Sequence, residues 1–282
     1  MSRSRIVVAL NNSVHIYAFS SPPKKLYSFE TTDNPLGLCC LGQKLIAFPA
    51  RTPGQVQLVE VESGNVSIIP AHSTPLKALA VSPDGESIAT ASETGTLVRT
   101  FSTANCSKKG EFRRGVDKAI VYSLAFSPDS GLLAMTSDKS TLHVFDVSKA
   151  TNTSNARSGY ASSIDSSEDS SPAASNQKYG FLSKMPLLPR VFSDVYSSCS
   201  TPFSNEDVEP ATKSSSGSSN QTIPGVPGGR ASRGVIGWLN DWTILVIGAG
   251  RDGRWEKFML GEDERGRRAI GRQGWKRYLG NS

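Results

Sequence analysis

Reactive side chains are scarce in this sequence. Its 282 residues include three histidines, and no nucleophile, acid–base pair or metal-ligand cluster gathers around them, so an enzymatic site is not expected. The four cysteines, Cys39, Cys40, Cys106 and Cys199, lack any C-x-x-C spacing. Neither a disulfide framework nor a zinc site is indicated, and buried free thiols are the expectation. No apolar run approaches the length that crosses a bilayer, and the first residues lead into a short strand-like run instead of a signal-peptide core, which predicts a cytosolic chain. Helical periodicity is nearly absent. Short apolar and β-branched runs bounded by turn residues take its place, and they predict strands almost throughout.

What is abundant is positive charge and repetition. The formal net charge of +6 and isoelectric point of about 9.2 favour an anionic partner, without separating nucleic acid from an acidic membrane surface. Residues 76–103 (LKALAVSPDGESIATASETGTLVRTFST) overlay residues 121–148 (VYSLAFSPDSGLLAMTSDKSTLHVFDVS) with an offset of 45 residues. That period is the one of WD40-type propeller blades, each a four-stranded sheet, with the S-P-D-G or S-P-D-S element turning between its first two strands. Residues 5–10, 14–19 and 25–29 read as three strands, and 36–41, 44–48, 56–61 and 66–69 as a further four-stranded unit with a turn at Pro53 and Gly54. After Val147 the composition turns to Ser, Thr, Asn and Ala, which cannot offset its own ordering entropy. The expected organisation is therefore propeller strands over 1–148, a disordered loop over 149–178, strands over 179–203, a second disordered loop over 204–233 and a last blade over 234–282.

Between the two repeat copies stands Glu111-Phe112-Arg113-Arg114-Gly115. Neighbouring side chains of an extended segment point to opposite sides, so Arg113 is expected to face the preceding blade and Arg114 the following one. One dipeptide would then serve two anion pockets. Guanidinium forks suit phosphates because they donate paired hydrogen bonds and stay charged. Taken alone, the pair is equally readable as a solvated surface feature.

These residues and their flanks resemble the PROPPIN family, whose signature is F/L-R-R-G. The resemblance includes Asp33 with Asn34, Pro35, Leu36, Gly37 and Leu38; Ala71 with His72; Gly95 with Thr96, Leu97, Val98 and Arg99; and the run Ser137-Asp138-Lys139-Ser140-Thr141-Leu142-His143-Val144-Phe145. A late Trp-Lys-Arg-Tyr-Leu stretch, as at 275–279, is similar to the fungal branch. The resemblance implies an all-β, seven-bladed WD40-like propeller of which this chain opens in the third blade, leaving roughly four and three-quarter blades and no ring closure. It also implies binding of phosphatidylinositol 3-phosphate and 3,5-bisphosphate. A first pocket would use His72, Thr94, Thr96, Arg99 and Arg113, with Ser73, Thr74 and Lys77 as weaker candidates. A second would use Arg114, Ser137, Lys139, Ser140, Thr141 and His143. The third histidine, His15, matches no family motif and is expected to be structural. No cofactor or metal is implied. The implied partners are phosphoinositide headgroups and autophagy proteins, among them the family's lipid-transfer partner, on vacuolar, endosomal or preautophagosomal membranes. The family's membrane-inserting loop would fall on 149–178, whose few large apolar residues and whose Asp165, Glu168 and Asp169 argue against insertion here.

Three other readings compete. The run Gly248-Ala249-Gly250-Arg251-Asp252-Gly253 is a literal G-x-G-x-x-G, but a strand is expected after it instead of the helix a dinucleotide site requires. The basic end with Trp275 and Tyr278 interleaved fits nucleic acid, although a solvated last blade accounts for it more simply and no nucleic-acid partner is expected. A WD-type protein-interaction scaffold without lipid affinity would leave the arginine pair unexplained.

Overall fold

The computed structural model describes residues 4–148, 195–203, 234–248 and 253–278. The two serine-rich stretches expected to be disordered, and residues 179–194 of the segment expected to supply strands, lie outside the described residues.

Every regular element among the described residues is a β-strand, arranged in five sheets. The first sheet holds β1 (Arg5–Ala9), β2 (Ser13–Ala18) and β3 (Lys24–Glu30). The second holds β4 (Cys40–Leu41), β5 (Leu45–Pro49), β6 (Gln55–Glu60) and β7 (Val66–Pro70). The third holds β8 (Leu76–Val81), β9 (Ser87–Ser92), β10 (Leu97–Ser102) and β11 (Lys108–Arg113). In the fourth, β12 (Val121–Phe126), β13 (Leu132–Ser137) and β14 (Thr141–Asp146) are joined by β16 (Cys199–Pro202). The short β15 (Val195–Tyr196) pairs in parallel with β11, across the boundary between these two sheets. The fifth holds β17 (Val235–Asn240), β18 (Thr243–Ile247), β19 (Arg254–Glu262) and β20 (Arg268–Arg277). Each sheet is an antiparallel meander, and successive sheets pack face to face as propeller blades do.

The repeated Ser-Pro-Asp element makes its turn through side chains. Ser82 Oγ accepts from Ser87 N at 2.9 Å while donating to the Asp84 carboxylate, and Gly85 takes φ +77°. In the second copy Ser127 Oγ accepts from Leu132 N at 2.9 Å and donates to Asp129, with Ser130 at φ +63° in the glycine's place. The expected strand over 36–41 shrinks to Cys40–Leu41, because Asn34 captures both backbone groups of Leu38 and Gly37 turns the chain at φ +62°. The G-x-G-x-x-G run joins β18 and β19 of one antiparallel hairpin, so no helix N-terminus stands there to receive a pyrophosphate.

Period-2 alternation buries one row of each strand toward each neighbouring sheet. Four apolar clusters fill the four boundaries between sheets. The one between the third and fourth sheets contains Phe112, Phe126, Met135 and Phe145, with the Phe112 and Phe145 rings 5.5 Å apart. Burial of each such aromatic contributes about 1.5–3 kcal/mol. Outside them, His15 bonds Ser13 and stacks on Tyr17, a local contact within β2.

Candidate anion-binding rim

The boundary between the second and third sheets carries the first group of candidate residues. Opposite one another across the third sheet lie Thr90, Arg99 and Glu111, a row on the face turned to the second sheet. The crossover from β7 to β8 lies against that row. Its start is held because His72 N donates to Gly54 O at 2.9 Å, and a Cβ on Gly54 would stand 2.0 Å from His72 O. His72 Nε2 meets the buried Thr90 Oγ1 at 2.9 Å. Arg99 donates through Nε to Glu111 Oε2 at 2.8 Å and through Nη1 to Ala71 O at 2.7 Å, clamping the crossover onto the sheet.

Charge in this crevice follows from that packing. Burial, helped by the Arg99 charge, pushes the His72 imidazole down to about 4, against smaller opposing effects of Thr90 and Glu111; the ring is neutral at cytosolic pH. Burial works to raise the Glu111 carboxyl, but the bond and charge of Arg99, with Lys108 at 3.5 Å, outweigh it and hold it below the usual carboxylate range.

Arg113 stands two residues beyond Glu111 in β11, so it shares the face of Arg99 and Glu111 while Phe112 points the other way into the core. It is half-buried, opposite Leu97 on one side and Tyr196 of β15 on the other, and its Nη1 reaches Gly115 O at 3.5 Å. Thr94 and Thr96 occupy the turn before β10. Their carbonyls accept from Ala119 N at 3.1 Å and Arg114 N at 2.9 Å, which ties that turn to the loop carrying the arginine pair. Thr94 Oγ1 meets Ser92 Oγ at 3.0 Å. Ser73 is exposed, and Thr74 and Lys77 are partly exposed along the crossover and the start of β8.

Arg114 lies one residue past the end of β11, so alternation within the strand is not what orients it. Its Nε donates to Gly95 O at 2.9 Å and its Nη2 to Asp117 O. Burial lowers its pKa, with the Asp138 and Asp117 charges opposing. Asp138 belongs to the turn between β13 and β14, which docks on the same loop through Asp138 N to Ile120 O at 2.9 Å and Ile120 N to Asp138 Oδ1 at 3.0 Å. Arg114 therefore spans toward the fourth sheet. In that turn Ser137 is fully buried, Lys139 and Ser140 are exposed, and Ser140 adopts φ +50°.

His143 corresponds in register to Arg99, each lying opposite the same position of the preceding strand, Met135 and Thr90. It is buried, with Thr141 Oγ1 at 3.1 Å from Nε2 and Ser197 Oγ at 3.2 Å from Nδ1. The structure thus divides the candidates into an inner layer, His72, Arg99, Ser137 and His143, and an outer layer, Thr94, Thr96, Arg113, Arg114, Lys139, Ser140 and Thr141. Sequence reasoning missed Thr90, Glu111 and Ser197. Glu111 carried a signal, its spacing of two from Arg113 in a strand; Ser197 carried none.

Half-buried cationic groups at two successive sheet boundaries on one rim define a propeller built to bind anions at its edge. Comparison with known proteins agrees with the fold. The profile of the PROPPIN family matches residues 1–190. SVP1-like protein 2 of Emericella nidulans is 60% identical over 281 residues, covering 100% of this chain and 84% of the relative. Autophagy-related protein 18 of Dictyostelium discoideum is 36% identical over 202 residues, 70% of this chain and 53% of that protein. The structure of Kluyveromyces lactis Hsv2 superposes with a TM-score of 0.68 at 22% identity, covering 99% of this chain and 72% of that one. The chain belongs to the PROPPIN family, among its autophagy-related members.

Proposed function

We propose that this PROPPIN binds the headgroups of phosphatidylinositol 3-phosphate and phosphatidylinositol 3,5-bisphosphate at the two sheet boundaries, acting as a peripheral membrane protein of autophagy and not as an enzyme. The observation that carries the reading is the arginine pair itself: Arg113 on the face of the His72 and Arg99 crevice, and Arg114 extended toward the Asp138 turn and the fourth sheet. Two half-buried guanidiniums on adjacent boundaries suit two phosphorylated rings presented by one membrane. Hydroxyls of Thr94, Thr96, Ser140 and Thr141 and the Lys139 ammonium supply the remaining donors. Recruitment to vacuolar, endosomal or preautophagosomal membranes follows from headgroup recognition. Such membranes would also be where the chain meets autophagy partners, the family's lipid-transfer protein among them, and acts in selective autophagy of nuclear fragments.

One observation favours a different reading, a protein-interaction scaffold without lipid affinity. Arg114 already donates to Gly95 O and Asp117 O, bonds that would explain it as a loop staple. Vesicle flotation separates the two. Retention on vesicles with phosphatidylinositol 3-phosphate but not with unmodified phosphatidylinositol, lost in a folded Arg113→Ala/Arg114→Ala variant, supports lipid recognition. Equal behaviour of both vesicle types with the folded wild-type chain supports the scaffold.

A further inference from the structure

The end of β20 repeats, two sheets further on, the placement of the arginine pair. β20 is the outermost strand of the fifth sheet, as β11 is of the third, and each closes the same kind of four-stranded meander. Its last rung pairs Arg254 with Arg277, where the last rung of β11 pairs Leu97 with Arg113. In a propeller, corresponding strand ends emerge on one rim, so Lys276, Arg277 and Tyr278 reach the rim that carries Arg113 and Arg114.

This second patch differs in chemistry from the crevices. From Arg268 to Tyr278 there are four cationic side chains and no carboxylate. The nearby carboxylate that does face them, Glu256, is buried and engaged by Arg254 and Arg272, each at 3.3 Å. The Trp275 side chain is 43% exposed, yet its ring is held between two guanidiniums, Arg254 at 5.5 Å and Arg277 at 6.0 Å from the ring centroid. Tyr278 is 48% exposed, with its hydroxyl donating to Gly248 O. Around Tyr278 the apolar side chains of Leu239, Leu245, Ile247 and Trp255 line an open groove. Ordered, exposed Trp and Tyr rings flanked by Lys and Arg match the headgroup layer of an acidic bilayer. The amphipathic rings sit at the interface while the cations attract anionic lipid. The patch offers no enclosed pocket for a single phosphate.

We propose that Trp275, Lys276, Arg277 and Tyr278 form a membrane-contacting patch that seats aromatic rings among the headgroups of any acidic bilayer, irrespective of phosphoinositide. A shared rim is what favours a membrane over nucleic acid for an aromatic and basic surface of this kind. The inference rests on the lipid-binding reading for its biological setting, and its test is independent of that reading. The probe is a phosphatidylcholine vesicle containing phosphatidylserine and no phosphoinositide, with and without brominated acyl chains that quench nearby tryptophan.

Wild-type fluorescence is expected to be quenched by the brominated vesicles, and Trp275→Phe to lose most of that quenching although Trp238, Trp242 and Trp255 remain. Lys276→Gln/Arg277→Gln alters two exposed residues and keeps Trp275. It is expected to bind these vesicles roughly ten- to thirty-fold more weakly, the wild-type advantage shrinking as salt is raised. The Arg113→Ala/Arg114→Ala variant is expected to retain the quenching. Undiminished quenching in Trp275→Phe, or binding unchanged by loss of the two charges, would overturn the proposal. So would protection of Trp275 by a mixed-sequence oligonucleotide, or by self-association, in a chain that the vesicles do not quench. Quenching through Trp275 without selectivity for phosphatidylinositol 3-phosphate would leave this patch standing and the headgroup reading fallen.

Discussion

Glu111 is the residue that most sharply tests how the first crevice works. Its carboxylate takes the Arg99 Nε at 2.8 Å, so a phosphate arriving at Arg99 has to compete with a resident anion. Removing that charge in Glu111→Gln is expected to tighten headgroup binding by about two- to fivefold, since a partly exposed pair is worth up to ~1 kcal/mol. Calorimetric titration with soluble inositol 1,3-bisphosphate measures it; a weaker complex would mean that the pair is needed to hold Arg99 in place. His72 gives a pH signature. Its folded pKa of about 4 lies below the ordinary 6.5. Between those values the unfolded chain takes up a proton that the folded chain refuses, so this residue's contribution is full above about 6.5 and is lost as pH falls toward 4. Urea denaturation at pH 7 and pH 4.5 is expected to show wild type losing about 1–2 kcal/mol more than His72→Gln. An equal loss in both would place the acid sensitivity elsewhere. The arginine pair was legible in the sequence because a motif carried it, and Arg99 and His72 because their flanks did. Thr90 and Glu111 were not, since their role depends on which residues stand opposite them across three strands.

At the level of elements, the loop 114–120 is what assembles the rim. It is stitched to the turn before β10 through Thr94 O and Thr96 O and to the turn before β14 through Asp138. Gly95 permits the first seam. It lies at φ +62°, and an added Cβ would come within 1.8 Å of Ala119 O. Gly95→Ala is therefore expected to cost about 2–4 kcal/mol and to weaken headgroup binding without altering any donor side chain. Urea denaturation and the same titration would show both effects together, and full stability would contradict the seam's importance. Strands and turns were readable where local chemistry decides them, as in the two Ser-Pro-Asp turns. They were unreadable where a distant partner decides. The two-residue β15 exists because the free edge of β11 accepts it, and nothing in Val195 or Tyr196 marks that pairing. Conversely, the expected strand over 36–41 lost most of its length to one asparagine whose side chain satisfies the backbone of Leu38.

For the whole molecule, the boundaries between sheets are the functional units. Each boundary is apolar in its depth and polar at the rim, so the propeller repeats a crevice as it repeats a blade, and the 45-residue offset read from the sequence is the period of both. Weak sites repeated along one rim act together on a membrane, because a second headgroup is captured at high effective concentration once the first is held. Binding to vesicles is accordingly expected to rise more steeply than in proportion to their phosphatidylinositol 3-phosphate content. The measurement closest to the central claim counts sites directly, by calorimetric titration of soluble inositol 1,3-bisphosphate into the folded chain and into Arg113→Ala, Arg114→Ala and the double variant. The account expects two sites per wild-type chain, one in each single variant and none in the double. Two sites surviving in either single variant, or none in the wild type, would contradict it.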